Sequence, residues 1–493
     1  MNNWIVLPII LPLLAGMIAV FFRQYPVAQR GVVLAGLLAA VSASLVLIDE
    51  VSNNGVQVLH VGGWQAPFGI TLAADMMSVL LVLTACIVGL ACLLYAFGSI
   101  GKEREHHYVY PVMMILICGV NGSFLTGDLF NLFVFFEVML ISSYVLISMG
   151  GEKVQLKESI KYVLINMLSS TLFVMAIAYL YSIVGTLNMA HISERVAEAG
   201  QTGLMTTVSL LFLVVFGIKA ALLLFIWLPD SYSNAPFAIS ALFAALLTKV
   251  GIYSILRVFT LIFYHEPQVT HTLMIWMGAL TMILGAMGAV SHWGIRKILA
   301  YNIIVSVGFV IFAVGVSSEQ ALSGALYYLI HDMLAKALIF ILGGTIISMA
   351  GTDRLLDIKG LIRYRPALGW LFLLGVLAVA GIPPLSGFVG KVMILQAGVE
   401  HGSYAVSVIG LLTSLLVLYS LMKVFIQSFW GETFIGEGEA LSTGREALLP
   451  ASILAILLIG LGLGAQWVLG LIGNATDIMI HPALYIEAVL AAD

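Results

Sequence analysis

Apolar residues in this chain run in long unbroken blocks, neither alternating nor spaced at intervals of three and four. That is the pattern of helices with no face turned to water. The blocks form about 14 segments, centred near residues 13, 38, 85, 117, 139, 171, 216, 249, 281, 307, 335, 382, 417 and 460, each close to the roughly 20 residues that cross a hydrocarbon core. The predicted fold is an all-α membrane protein of about 14 transmembrane helices, with no soluble domain between them. The first block, WIVLPIILPLLAGMIAVFF, lacks a basic leader and a small-residue cleavage pattern, and is read as a retained helix. Two polar stretches interrupt the blocks. Residues 49–72 mix turn residues with alternating apolar ones and predict an external hairpin. Residues 431–446 predict a cytoplasmic linker without catalytic chemistry.

Composition supports this reading: 61% of residues are hydrophobic, 9% are charged and mean hydropathy is +1.09, whereas soluble domains carry about 25% charged residues. The three cysteines, Cys86, Cys92 and Cys118, lie inside apolar blocks without metal-ligand spacing and are read as small core residues. No P-loop, dinucleotide fingerprint, haem or iron–sulfur spacing is present, so no cofactor and no metal is expected. No basic patch suggests nucleic acid.

Lysine and arginine positions predict the topology. With the N-terminus outside, the cytoplasmic loops contain Arg23, Arg30, Lys102, Arg104, Lys153, Lys157, Lys161, Arg296, Lys297, Arg354, Lys359, Arg363, Arg365 and Arg445, and the opposite loops contain only Arg195. That asymmetry satisfies the positive-inside rule, and an even number of helices returns the C-terminus to the outside. Arg257 and Lys423 lie near helix ends and are expected to snorkel to the headgroups.

The spans divide into residues 1–107 with helices one to three, a five-helix unit at 108–262, a second at 272–430, and 431–493 with the linker, helix fourteen and a C-terminal tail. An odd number of helices per unit makes the second copy enter the membrane from the opposite side, as in an inverted repeat. The matching seventh and twelfth helices are proline-marked, by Pro229 in WLPDSY and by Pro383 and Pro384 in AGIPPLSGF, and are predicted to break. Transporters place ion sites at such breaks.

Five charges fall inside spans: Glu137, Lys219, Lys249, Lys336 and Lys391. Each costs roughly 2.5–3.5 kcal/mol even on a lenient insertion scale, so five together point to ion or proton movement. A carboxylate at Glu137, among Phe133, Phe135 and Phe136, must be neutral or paired, and Lys219 lies at a similar depth. The pair reads either as a mobile element or as a static one that fixes helix register. Lys249 sits near the centre of helix eight, and a buried lysine can release its proton. Asp332 and Lys336 share a helix face and pair either for structure or within a relay. His331, beside them, is a relay group or a hydrogen-bonded core histidine. Small polar residues such as Ser170, Thr248 and Ser306 either hold water between these groups or bond their own backbone.

At these residues the chain resembles the proton-translocating membrane subunits shared by respiratory complex I and the Mrp-type multisubunit cation/proton antiporters. The likeness covers about residues 70–430. FFEVMLISSYVLI is similar to the family's fifth-helix glutamate motif and WLPDSYSNAPFAISALFAALLTKVGIYSILR to its seventh-to-eighth helix signature. IRKILAYNIIVSVGF, HDMLAKALIF and GIPPLSGFVGK match its tenth, eleventh and broken twelfth helices. The SALFAALLTKVGIY wording and the chain length stand closest to the Mrp branch. The resemblance implies an ion-translocating subunit of a sodium/proton antiporter, a secondary transporter and not an enzyme, in a bacterial plasma membrane with both termini outside. The partners it implies are Mrp subunits of A, B, C, E, F and G type, with Na+, H+ and the bilayer. The alternative is a proton-pumping subunit of complex I or a membrane hydrogenase.

By the same resemblance, Glu137 and Lys219 form a modulating pair and Lys249 a central relay, Lys336 with His331 connects the halves, and Lys391 is the terminal exchange residue. The chain departs from the family pattern where Phe225 and Phe243 stand in place of frequent histidines and where Asp332 replaces one four residues before Lys336. It also has no proline between Lys219 and Trp227.

Overall fold

The computed structural model describes residues 3–200, 203–432 and 445–491. A turn at Asn3–Val6 leads into α1 (Leu7–Phe21) and α2 (Pro26–Asn54). There follow an antiparallel hairpin of β1 (Gln57–His60) and β2 (Thr71–Ala74), then α3 (Met76–Ser99) and a single turn, α4 (Lys102–Glu105). The first five-span unit consists of α5 (Val109–Leu125), α6 (Leu129–Ser148), α7 (Lys153–Val184), a short α8 (Met189–Ala199), α9 (Gly203–Ala220) with α10 (Leu228–Asn234) across a break, and α11 (Phe237–Leu261). The second consists of α12 (Pro267–Ser291), α13 (Ile295–Val316), α14 (Glu319–Ala350), α15 (Pro366–Ala380) with α16 (Ser386–Glu400) across a break, and α17 (Tyr404–Phe429). Then come α18 (Leu448–Leu463), α19 (Ala465–Ile480) and α20 (Pro482–Leu490).

Among the described residues, eleven helices are long and apolar enough to cross a membrane. The pair α18–α19, bent by 81°, makes a twelfth. The shorter α5 and the broken pair α15–α16 complete the pattern read from the sequence, with the break at the fourth span of each unit. Side-chain caps fix several starts: Asp128 accepts from the Asn131 amide at 2.8 Å, Asn188 caps α8, Ser318 caps α14, and Asp75 and Ser78 form a reciprocal box at α3. In the spanning window of α11 every residue is buried, and in α13 and α14 the buried shares are 94% and 89%, whereas α2 buries only 33%. The three enclosed helices are therefore the interior, and the rim helices turn apolar faces to lipid.

The 49–72 expectation holds in its strands, although α2 runs on to Asn54 before the hairpin begins. Most of the predicted linker lies outside the described residues. The tail is helical, and α20 packs on α8 and β1. α8 is amphipathic: Ile192 and Val196 are buried, whereas Glu194 and Arg195 are exposed.

The snorkelling expectation fails for Arg257. Its guanidinium is buried and forks onto Asp75, at 2.5 Å to Oδ2 and 2.8 Å to Oδ1, and it donates to the Tyr253 hydroxyl at 3.2 Å. The Tyr485 ring of α20 lies 5.2 Å from it. A bidentate carboxylate supplies inside the protein what headgroups would have supplied outside. Lys423 is half-buried and donates to the carbonyls of Val290 at 2.9 Å and His292 at 2.7 Å at the end of α12. Free carbonyls at a helix end attract a cation.

Candidate functional site

The break after α9 forms without a proline at the point of unwinding. Ala221 and Leu223 adopt left-handed φ values of 63° and 56°, conformations uncommon for side chains with a Cβ. Two side chains satisfy the backbone groups freed there: Thr281 Oγ1 accepts from the Leu223 amide at 3.0 Å, and the Trp227 indole donates to the Ile218 carbonyl at 3.2 Å. Lys219 lies in the last turn of α9, ahead of the break, and is 4% exposed.

Glu137 and Lys219 come together, but not as the direct pair expected. Ser170 of α7 stands between them. The Lys219 ammonium donates to Ser170 Oγ at 3.1 Å, and Ser170 Oγ donates in turn to Glu137 Oε1 in a short hydrogen bond. The ammonium also lies 4.9 Å from the centre of the Phe136 ring, a favourable cation–π position. Glu137 is half-buried at the outer edge of this line. Next to it, α9 and α11 meet backbone to backbone, because a Cβ at Gly251 would lie 2.6 Å from the Ala220 amide nitrogen.

At the second break, Gly381 has φ 85° and Pro383 and Pro384 contribute no amide protons. The carbonyls left open at the end of α15 are taken by Lys391, which donates to Val379 at 3.0 Å and Ala380 at 2.9 Å, and also to Ser414 Oγ of α17 at 3.2 Å. An ammonium at the negative end of a half-helix is held by dipoles and not by a counter-ion. Gly387 permits the tight return of the chain, since a Cβ there would collide with the Ala378 carbonyl oxygen.

Lys249 and Lys336 meet at a single carboxylate. Lys249 Nζ lies 2.9 Å from Asp332 Oδ2, and Lys336 Nζ lies 3.2 Å from Oδ1. The side chains of Lys249, Asp332 and Lys336 are 0%, 3% and 0% exposed. Lys249 also donates to the Ala244 carbonyl at 2.7 Å. The Lys336 contact lacks hydrogen-bond alignment, so this nitrogen has close charge but no aligned acceptor among the described residues. His331 points toward the second break: its Nδ1 lies 2.8 Å from Ser386 Oγ, at the first residue of α16. His331 Nε2 is buried with no partner among the described residues.

All six residues singled out in the sequence are thus placed in the protein interior or, for Glu137, at its edge. They form three groups: Glu137–Ser170–Lys219, Lys249–Asp332–Lys336, and His331 and Lys391 at the second break. Two participants were underrated in the sequence. Ser170 looked like any helix serine, and its neighbours in the chain give no sign of a cross-helix role. Asp332 was read as a partner of Lys336 through their four-residue spacing, but the contact to Lys249 joins helices that no local spacing relates.

Broken spans in two opposed five-helix units, built around buried lysines, define a multi-pass membrane transport protein. Residues 126–417 match the model of the NADH:quinone oxidoreductase/Mrp antiporter transmembrane family, and the chain belongs to that family. The D-type subunit of the Na(+)/H(+) antiporter from Bacillus subtilis is 48% identical to it, over 99% of this chain and all of the relative. A chain in the structure of the Mrp complex from Dietzia sp. superposes with a TM-score of 0.92 at 28% identity, covering 100% of both chains. A chain of the membrane-bound sulfane sulfur reductase, an archaeal respiratory membrane complex, shares the fold with the same TM-score of 0.92 at 24% identity, covering 99% of this chain and 100% of the other.

Proposed function

We propose that this chain is the D-type subunit of a multisubunit sodium/proton antiporter and moves protons along a line of buried lysines coupled to Na+ efflux. The observation that carries this reading is the succession of ionisable groups inside the bundle, from Glu137 on α6 through Lys219 on α9, Lys249 on α11 and Lys336 on α14 to Lys391 on α16. A buried charge stabilises a fold little and is expensive to leave unpaired, so a succession of them is retained for transport. Protons hop through water between the lysines. A change in the reach between Glu137 and Lys219 alters how firmly the ammonium holds its proton, and that change is passed to Lys249, Lys336 with His331, and Lys391.

The units at 108–262 and 272–430 are the two halves of this path, with residues 1–107 and 431–493 bracing them. The subunit works as a secondary transporter in a bacterial plasma membrane with both termini outside, beside Mrp subunits of A, B, C, E, F and G type. The basic loops support that orientation. Arg104, Arg296 and Lys297 line one polar pocket of about 420 Å³ at the same end of the bundle, and Arg195 lies on α8, which packs beside α20.

The test is sodium-dependent proton movement in vesicles carrying the whole assembly. Glu137→Ala, Lys219→Ala and Lys391→Ala each abolish antiport while the complex still assembles; full antiport in all three overturns the reading.

A further inference from the structure

We propose that Asp332 is where the two halves exchange a proton: one carboxylate holds both Lys249 and Lys336 and restricts the two lysines to a single shared proton. The inference deepens the proposed transport function and rests on it.

Three ionisable side chains lie together at 0–3% exposure. Placing an ion in such surroundings forfeits its hydration, so a buried cluster with a net charge is disfavoured against a neutral one. Two ammonium groups and one carboxylate carry a net positive charge; one ammonium, one amine and one carboxylate carry none. With Asp332 ionised, only two neutral arrangements exist, with the proton on Lys249 or on Lys336.

The hydrogen bonding separates them. Lys249 Nζ lies 2.9 Å from Asp332 Oδ2 and also donates to the Ala244 carbonyl at 2.7 Å. Lys336 Nζ lies 3.2 Å from Oδ1 and has no hydrogen-bond acceptor besides it among the described residues. The Ala244 carbonyl, a second oxygen at Lys249 only, favours the arrangement with the proton on Lys249.

In the exchange, an N–H bond at Lys249 breaks and a water takes that proton while giving one of its own to the Lys336 lone pair. Asp332 stays an anion throughout, so charge is conserved. Lys249 belongs to α11 in the first unit and Lys336 to α14 in the second, so one exchange crosses the seam between them. The groups that act electrostatically on Asp332 are Lys249 from α11, Tyr328, His331 and Lys336 on its own helix, and Lys391 from α16, while Ser306 faces it from α13. No second carboxylate is among them, so Asp332 is the anion of the junction.

The test uses the whole complex in everted vesicles, with assembly checked by native electrophoresis. Asp332→Asn is expected to lower antiport roughly 100-fold, and Asp332→Glu to restore a substantial part of it. A merely structural aspartate would not give that split at equal assembly. Because Asp332→Asn leaves two buried lysines without an anion and risks misfolding, Lys336→Leu is the second variant. It keeps the Lys249–Asp332 pair satisfied and should assemble normally, yet lose antiport. Normal antiport in Lys336→Leu, or in Asp332→Asn, overturns the proposal. Glu137→Gln in the same vesicles separates the two levels: if it too retains full antiport the transport reading falls, and if it alone is inactive only the Asp332 proposal falls.

Discussion

Lys219 and Lys391 lie on the matching broken fourth spans of the two units, Lys219 ahead of its break and Lys391 beyond it, and they are held by opposite means. Lys219 connects through Ser170 to the carboxylate of Glu137. Lys391 is held by two backbone carbonyls and a serine, all uncharged. A carboxylate on a separate helix can move, and its attraction for the ammonium changes inversely with their separation. Carbonyls at the end of a half-helix are fixed by the backbone, and their pull is a constant. On the proposed reading, the first unit varies the grip on its lysine and the second keeps it steady. The repeat supplied one scaffold, and the difference lies in which oxygens face the ammonium.

Replacement by arginine, which keeps the charge but cannot release its proton, gives the largest separation. Antiport by Lys391→Arg is expected to fall to about one hundredth of wild type, and by Lys219→Arg to about one tenth, because a modulating cation keeps part of its role while permanently charged. Equal residual rates in a vesicle assay would erase the distinction. Serine removal is the intermediate case. Ser170→Ala interrupts the hydrogen-bonded link between Lys219 and Glu137 and is expected to reduce flux about fivefold, whereas Ser414→Ala leaves two carbonyls on Lys391 and costs less than about twofold. A larger loss in Ser414→Ala would reverse the assignment of the variable and the fixed site.

The smallest effect comes from a carboxylate on the same helix as Glu137 but outside the spans. Burial pushes the Asp128 carboxyl up to about 6, against hydrogen bonds from the Asn131 and Phe130 backbone that lower it. A carboxyl raised in the folded state binds its proton more tightly there than when unfolded, so stability falls as pH rises from near 4 to near 6 and stays lower above that. Asp128→Asn keeps the cap. It is expected to raise the melting temperature of the purified complex by roughly 2–4 °C at pH 8 and not at pH 4, with antiport unchanged. Loss of antiport would show that α6 carries a second functional carboxylate and that Glu137 is not special on its helix.

Much of the architecture was legible because the bilayer imposes it. Blocks of the right length give spans, Pro383–Pro384 gives the second break, and a lysine inside a span stands out against its neighbours. The first break was harder to read: Pro229 lies beyond it, and the unwinding at Ala221–Leu223 is stabilised by Thr281 from another helix, 58 residues from Leu223. Pairings were the least legible. Asp332–Lys336 follows from a helical turn, but Asp332–Lys249 and Ser170–Glu137 depend on how helices rotate against one another, which periodicity cannot fix when every face is apolar. Arg257 was misread for the same reason, since its partner is 182 residues away.

That last separation has a meaning in time. The chain emerges at about 5–20 residues per second, so Asp75 waits roughly 10–40 s for Arg257 to be made. The Tyr485 ring that lies against Arg257 arrives only with α20. Until Arg257 is made, the carboxylate at the start of α3 lacks the cation that it meets in the folded protein. The clamp thus draws on three helices far apart in the chain, α3, α11 and α20.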